Sequence, residues 1–352
     1  MQTTQTIIAR KNQSNWWHNA WSAVLRWLRL TNDITVKVYH GYGQPGRYVV
    51  YGHVLTLGPL QRTRFSGNFW KNTVALLRLF IVRPYAGAHV QLRWEGEILK
   101  TVTEDDGFFK IEWKTNRHLP PGWHPIQVEM TGGQGEIIAT GTGYIFIPYP
   151  TQLGFISDID DTFLISHSAN LRKRLYVLFT RNARSRKPFE GVVRHYQALT
   201  LGRTTEAAPN PFFYVSSSEW NLFNYILEFT RVNGLPKGVF LLSQLKRFSQ
   251  IFKTGQNKHA TKFMRIVRIL EHYPEQRFVL LGDSSQQDPD IYAAVVKHFP
   301  QQVHAVYIRD VYRKNKEKAA KTLDVIEAAG VPCCFFEHSS EALEHSRRIG
   351  LI

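Results

Sequence analysis

The sequence predicts an α/β chain, an N-terminal antiparallel β-sandwich followed by a parallel sheet with helices on both faces. Three observations carry that prediction. Up to about residue 148, apolar residues come in short β-branched and aromatic runs separated by clusters such as GYGQPG, TEDDG and LPPG. After IPYP at 147–150, continuously apolar strands alternate with long helical stretches, the pattern of a parallel sheet buried on both faces. The first of those strands, LGFIS, runs straight into three aspartates, Asp158, Asp160 and Asp161.

Taken in chain order, residues 1–32 form the first unit, with an amphipathic helix predicted over 14–31. Trp17, Trp21, Val24 and Leu28 recur at helical spacing, while His18, Arg26 and Arg29 mark other faces. Such a stripe either docks on the protein's own core or, with tryptophans beside arginines, sits at a membrane interface. The second unit spans 33–148. Its strands are ITVKVYH, YVVYGHVLTL, HVQLRWEG, GFFKIEWK and HPIQVEM, with a more helical interruption at 69–81. The stretch TEDDGFFKIEW resembles the turn-and-strand signature of transthyretin-like sandwiches, which implies binding or packing rather than catalysis.

The third unit, 149–352, is the α/β part. Strands LGFIS, FFYVSSS, KGVFLL, RFVLLGD and VHAVYIR alternate with helical stretches PFEGVVRHYQALT, EWNLFNYILEFTRVNG and HATKFMRIVRILEHY. Ligands of such sheets bind at the carboxyl ends of the strands. Asp158 lies at one of those ends. Residues i and i+2 of an extended chain project the same way, so Asp158 and Asp160 face one crevice. Two carboxylates that close are tolerable around a divalent cation. One then serves as nucleophile and its neighbour as acid and base. Asp161, three positions on, suits a structural cap as readily as a functional role.

Composition narrows the partners. The 352 residues carry a formal net charge of +16 and 43% hydrophobic residues. That excess favours polyanions: nucleic acid, an anionic membrane face or phosphorylated substrates. Cys333 and Cys334 are adjacent and there is no CxxC pair for zinc, which fits a reducing compartment. No signal peptide and no membrane-spanning run is expected, since the longest apolar run, TVALLRLFIV, contains Arg78. The expected location is cytoplasmic, peripheral at a membrane.

From the aspartates onward the sequence resembles the haloacid dehalogenase (HAD) superfamily of phosphotransferases. DIDDT at 158–162 matches its first motif, FFYVS supplies Ser216 for the second, Lys258 and Lys262 stand where the third has a lysine, and VLLGDSSQQD supplies Asp283 and Asp288 for the fourth. The match narrows to the catalytic domain of actin-patch-type phosphatidate phosphatases through SDIDDT, FFYVSSSEWNLF, KFMRIVRILEHYPEQRFVLLGDSSQQDPDIY and VYIRDV. Counting back from Pro274 puts that family's lysine on Lys262. The sequence departs from the pattern at Glu219 for proline, Ser285 for glycine and Thr261 for histidine.

The resemblance implies a Rossmann-like parallel sheet with a small helical cap at about 163–188. It implies Mg²⁺-dependent phosphomonoester hydrolysis through an aspartyl-phosphate. Asp158 would be the nucleophile, Asp160 the acid and base, and Ser216 and Lys262 would bind the phosphoryl group. Magnesium would be held by the Asp158 carboxylate, the Asp160 backbone carbonyl and Asp283, with Asp288 through water. Further candidate substrate contacts are Thr162, Ser217, Arg172, Arg174 and Arg309. The cap segment 166–188 interleaves seven basic residues with Leu171, Leu175, Tyr176, Val177, Leu178 and Phe179. That suits phosphatidate or another anionic phospholipid and an anionic membrane surface, although a solvated helix gives the same pattern. A phosphatase for soluble or nucleic-acid phosphomonoesters, and a catalytically idle membrane-binding scaffold, are the alternatives. Nucleic acid is disfavoured because no single-strand aromatic motif or helix-turn-helix stands out.

Overall fold

The computed structural model describes residues 30–31, 33–59, 82–116, 118–149, 153–159, 188–243, 258–285 and 287–352. Of the helix expected over 14–31, only residues 30 and 31 are described; the helical interruption at 69–81 and the cap segment up to 187 lie outside the described residues. Residues 30 and 31, predicted helical, are strand instead. Leu30–Thr31 pair antiparallel with Pro59 and Gly58.

The β-rich part contains β1 (Leu30–Thr31), β2 (Thr35–Val38), β3 (His40–Gln44), β4 (Arg47–Pro59), β5 (Arg83–Pro84), β6 (His89–Trp94), β7 (Glu97–Val102), β8 (Phe108–Lys114), β9 (Gly122–Thr131) and β10 (Ile137–Ile147). Alternation is plainest in β8, where Phe109, Ile111 and Trp113 are buried and Lys110, Glu112 and Lys114 are exposed. The predicted sandwich is one continuous hydrogen-bonded set rather than two separate sheets. The long β4 is the reason: it pairs with β2, β3, β5 and β8, and β3 continues through β10, β9 and β6 to β7. All these pairings are antiparallel except β3 with β10. The set closes over its own core, which includes Val36, Tyr48, Val90, Leu92, Trp94, Phe109, Ile126 and Val128.

The α/β part comprises β11 (Gly154–Asp158), α1 (Val192–Leu201), β12 (Phe212–Glu219), α2 (Phe223–Val232), β13 (Gly238–Ser243), α3 (Lys258–His272), β14 (Phe278–Asp283), α4 (Asp288–His298), β15 (Val303–Arg309), α5 (Lys316–Ala328), β16 (Cys333–Phe336) and α6 (Ser339–Arg348). The six strands are parallel, in the order β13-β12-β11-β14-β15-β16. The chain fills one side of β11 first and then the other. Its direction therefore reverses between β11 and β14, where such sheets open a crevice at their carboxyl ends. Every residue of β11, β12 and β14 is buried, which matches their unbroken apolar runs. Cys333 and Cys334 are buried free thiols on the edge strand β16.

The two parts share a second core. Tyr39, Tyr42, Val49 and Tyr51 of the β-rich part pack with Phe213, Trp220, Phe223 and Tyr273. Polar bonds lock the junction: His40 Nδ1–H donates to the Gly238 carbonyl at 3.0 Å, and the Tyr273 hydroxyl donates to the Gly43 carbonyl at 3.0 Å. Lys237 lies over the Trp123 ring, 4.1 Å from its centroid. Among the described residues, no helix is long and apolar enough to cross a membrane.

Candidate active site

Asp158 ends β11 and Asp283 ends β14, the two strands that flank the reversal. Asp288 opens α4, where the helix dipole favours a carboxylate. All three are fully buried. Carboxylate oxygens from the three lie within 4.8 Å of one another. Lys262, on the second turn of α3, completes the cluster. Its ammonium is 2.8 Å from Asp158 Oδ1 and also pairs with Asp288 Oδ1.

Burial alone would lower the Lys262 pKa, but Asp158 and Asp288 more than offset it, and the net direction is up. The lysine is therefore a fixed cation. The same carboxylates act on Tyr292. Burial first, then Asp288 and Asp158, push its phenol well above the ordinary range, and its hydroxyl donates to the Leu281 carbonyl at 2.9 Å.

Local backbone explains the tight fit of Asp288. A Cβ at Gly282 would come 2.6 Å from Asp288 Oδ2 and 2.9 Å from Tyr292 Cε2, so only glycine lets α4 approach this closely. The Asp283 N–H donates to Asp288 Oδ2 at 3.3 Å, and the Ser285 N–H donates to Asp283 Oδ1 at 2.5 Å. Ser285 thus replaces the expected glycine without harm. Among the described non-glycine residues, only Glu95 and Arg203 have positive φ, so position 285 needs no glycine backbone. Ser284 braces the loop. Its hydroxyl donates to Asp310 Oδ1 at 3.2 Å and accepts from the Val311 and Tyr312 N–H groups, while its carbonyl accepts from Asn315 Nδ2.

Ser216 lies one residue beyond Val215, which is in register with Asp158. It is fully buried, and its Oγ accepts from the Ser218 N–H at 2.8 Å. That bond is accepted by a lone pair of the hydroxyl oxygen. Ser217 is buried beside it. Asp160, Thr162, Arg172 and Arg174 lie outside the described residues, as does the side chain of Lys258.

Arg309, a candidate substrate contact, ends β15. It faces Asp283 in register on the neighbouring strand. Its guanidinium, however, is 4.8 Å from the ring centroids of both Phe189 and Phe336 and donates to the Glu337 carbonyl and to Ser339 Oγ. Burial lowers its pKa, with Tyr196 and Asp283 opposing. These contacts tie the start of α6 to the sheet.

Sequence reasoning missed Arg265. It is 9% exposed and donates from Nη1 to the Ser216 carbonyl and from Nη2 to Ser243 Oγ, both at 3.1 Å. The signal was available: Lys262, Arg265 and Ile269 share a stripe at helical spacing, so a charge fell on the buried face of α3.

The family described as "Phosphatidate phosphatase APP1, catalytic domain" matches residues 153–310. A Saccharomyces cerevisiae protein named phosphatidate phosphatase APP1 is 32% identical over 164 residues, 46% of this chain and 26% of that protein. An uncharacterized Schizosaccharomyces pombe protein is 24% identical over 161 residues, 45% of this chain and 25% of that one. The chain thus spans about a quarter of the length of these curated relatives. Among solved structures, a bacterial immunoglobulin-like domain from the M. primoryensis ice-binding adhesin aligns at 14% identity with a TM-score of 0.19, covering 33% of this chain and 97% of that one. Over residues 153–310, and therefore over the whole aspartate–lysine cluster, this chain resembles the catalytic domain of the phosphatidate phosphatase APP1.

Proposed function

We propose that the protein is a HAD-type phosphomonoesterase that hydrolyses phosphatidate to diacylglycerol and phosphate. One observation carries the reading. Asp158, Asp283, Asp288 and Lys262 converge at the reversal point of the parallel sheet, inside the segment that resembles a phosphatidate phosphatase catalytic domain.

The donor set fits magnesium. Three buried carboxylates offer hard oxygen ligands within 4.8 Å of one another, and one lysine neutralises only part of their charge. Asp158, Asp283 and Asp288 would hold the ion, which when bound supplies positive charge against the phosphoryl oxygens.

The residues divide the remaining work. The Asp158 carboxylate attacks phosphorus, forming an aspartyl-phosphate as the bond to the glycerol oxygen breaks. Asp160 gives that oxygen a proton and then takes one from water. The water oxygen bonds to phosphorus, the Asp158–phosphorus bond breaks, and the carboxylate is restored. Lys262, held protonated by its two carboxylates, and the Ser216 hydroxyl stabilise the equatorial charge, where most phosphoryl-transfer catalysis resides.

Charge distribution supports a lipid substrate at a membrane. Segments 1–29, 60–81, 160–187 and 244–257 together contain only two carboxylates, Asp160 and Asp161, and their net charge equals the whole +16 of the chain. Two of them come next in the sequence after β11 and β13. A cytoplasmic, peripheral location on an anionic surface follows from this reading. The test is phosphate release from phosphatidate in mixed micelles against soluble phosphomonoesters, with magnesium and with excess chelator. Magnesium-dependent release favouring phosphatidate is expected. Turnover limited to soluble esters, or unchanged by chelator, would overturn it.

A further inference from the structure

We infer that Arg265 positions Ser216 by locking a β-bulge at the carboxyl end of β12. The inference rests on the proposed reading of this site and assigns a task to a residue that no catalytic motif contains. Val215 stands opposite Leu241 and Glu219 opposite Ser243. Residues 216–218 of β12 therefore face the single residue 242 of β13. Bulges beside active sites re-aim side chains and interrupt the ladder that would otherwise fix the backbone.

Arg265 replaces the missing ladder. One arm of its guanidinium holds the Ser216 carbonyl and the other holds Ser243 Oγ, so a single planar fork bridges the bulge to the next strand. Inside the bulge, the Ser218 N–H fixes Ser216 Oγ. Backbone and side chain of Ser216 are thus set by separate bonds. Because Arg265 lies three residues beyond Lys262, α3 places the cation at Asp158 and orients the serine with the same surface.

The electrical setting of Arg265 agrees with a geometric task. Burial lowers its pKa to about 10, and the like charge of Arg268 acts in the same direction. Among the described residues its partners are a carbonyl and a hydroxyl, not a carboxylate. A guanidinium buried without an anion is costly, and the side chain's return is the fixed bulge.

The experiment has two arms, using the full chain with Arg265→Met and Arg265→Lys. The first is amide hydrogen exchange in metal-free protein. Both variants should speed exchange at 216–219 by about tenfold or more while residues 278–283 stay protected. The second is a double-mutant cycle with Ser216→Ala, read as turnover of a soluble phosphomonoester. Arg265→Lys should lower kcat by about tenfold or more alone, and by less than about threefold when Ser216 is already alanine. Unchanged exchange at 216–219, equal losses in both backgrounds, or wild-type behaviour of Arg265→Lys would each overturn the inference. Should the wild type hydrolyse no phosphomonoester, the proposed activity fails, and the exchange arm still decides the role of Arg265.

Discussion

Tyr39 and Trp220 lie face to face across the junction of the two parts, their ring centroids 4.0 Å apart and their planes 16° from parallel. Trp220 opens the short 3₁₀ turn that follows β12, so the β-rich part grips the chain immediately after the Ser216 bulge. The Tyr39 hydroxyl is hydrogen-bonded to His53 Nδ1 at 3.0 Å. Removing the ring should destabilise both parts together. Tyr39→Ala is expected to cost about 3–5 kcal/mol, the range for losing a buried aromatic side chain, and Tyr39→Phe about 1 kcal/mol for the lost hydrogen bond. Urea unfolding followed separately by tryptophan fluorescence and far-UV circular dichroism checks this. Non-coincident transitions in the wild type would show that the junction does not couple the parts.

The junction histidines predict an acid weakness. Burial lowers the His40 pKa to about 4 and that of His53 to about 3. The unfolded chain titrates near the ordinary 6.5 and so binds more protons between these values. Their contribution is full above pH 6.5 and is lost as pH falls toward 4. His40 alone accounts for about 3 kcal/mol over that window. His40→Gln keeps a donor for the Gly238 carbonyl, and it should flatten the fall in melting temperature between pH 6.5 and 4. An unchanged slope would place the proton uptake elsewhere.

Lys262 predicts the opposite pattern. Its pKa lies above the ordinary 10.5, so its stabilisation is complete below 10.5 and disappears only as pH rises beyond it. Lys262→Met leaves Asp158 and Asp288 buried without their cation and should cost about 3–5 kcal/mol. Adding Asp158→Asn should recover part of that loss, because it removes one of the stranded charges. Asp158→Asn alone should fold and lose at least about a thousandfold in turnover, the consequence of deleting a nucleophile. Retention of a few per cent of wild-type rate would remove Asp158 from that role.

Metal should register as heat stability as well as rate. Excess magnesium at about a hundred times its Kd should add about 2.7 kcal/mol to the wild type. Asp283→Asn should raise metal-free stability, since one of three mutually repelling carboxylates is gone, and abolish the increment. Its Oδ1 can still accept the Ser285 N–H. Calcium should bind yet support little turnover, because its larger and looser coordination suits the reaction poorly. Differential scanning fluorimetry across metal concentrations gives the answer. An Asp283→Asn protein that gained as much from magnesium as the wild type would exclude Asp283 as a ligand.

Membrane contact should depend on salt. The basic segments that follow β11 and β13 in the sequence should each contribute about 1 kcal/mol per Lys or Arg that reaches an anionic surface, screened over ~8 Å at physiological ionic strength. Cosedimentation with phosphatidate-containing and neutral liposomes across a salt series measures this. Binding indifferent to both lipid charge and salt would make these residues a solvated face.

The sequence alone carried the division into a β-rich part and a parallel α/β part, because periodicity of two and unbroken apolar runs are local signals that survive any packing. It also carried Asp158 at a strand end and, through its resemblance to the HAD motifs, Ser216, Lys262, Asp283 and Asp288 as a candidate set. Tertiary structure decided what lies between elements distant in sequence. Lys262 reaches Asp158 and Asp288 because α3 packs on β12 and β13 and against α4, which no local pattern encodes. Arg309, which the motif left beside the site, is held at α6 because two phenylalanine rings and Ser339 converge on it. Arg265 looked like one more helix charge until β12 and β13 supplied its two acceptors. The β-rich part became a clamp on the segment after Ser216 only when Tyr39 met Trp220, 181 positions away in the chain. A contact of that kind is a property of how two hydrophobic faces dock, and burial, not sequence neighbourhood, selects the residues that make it.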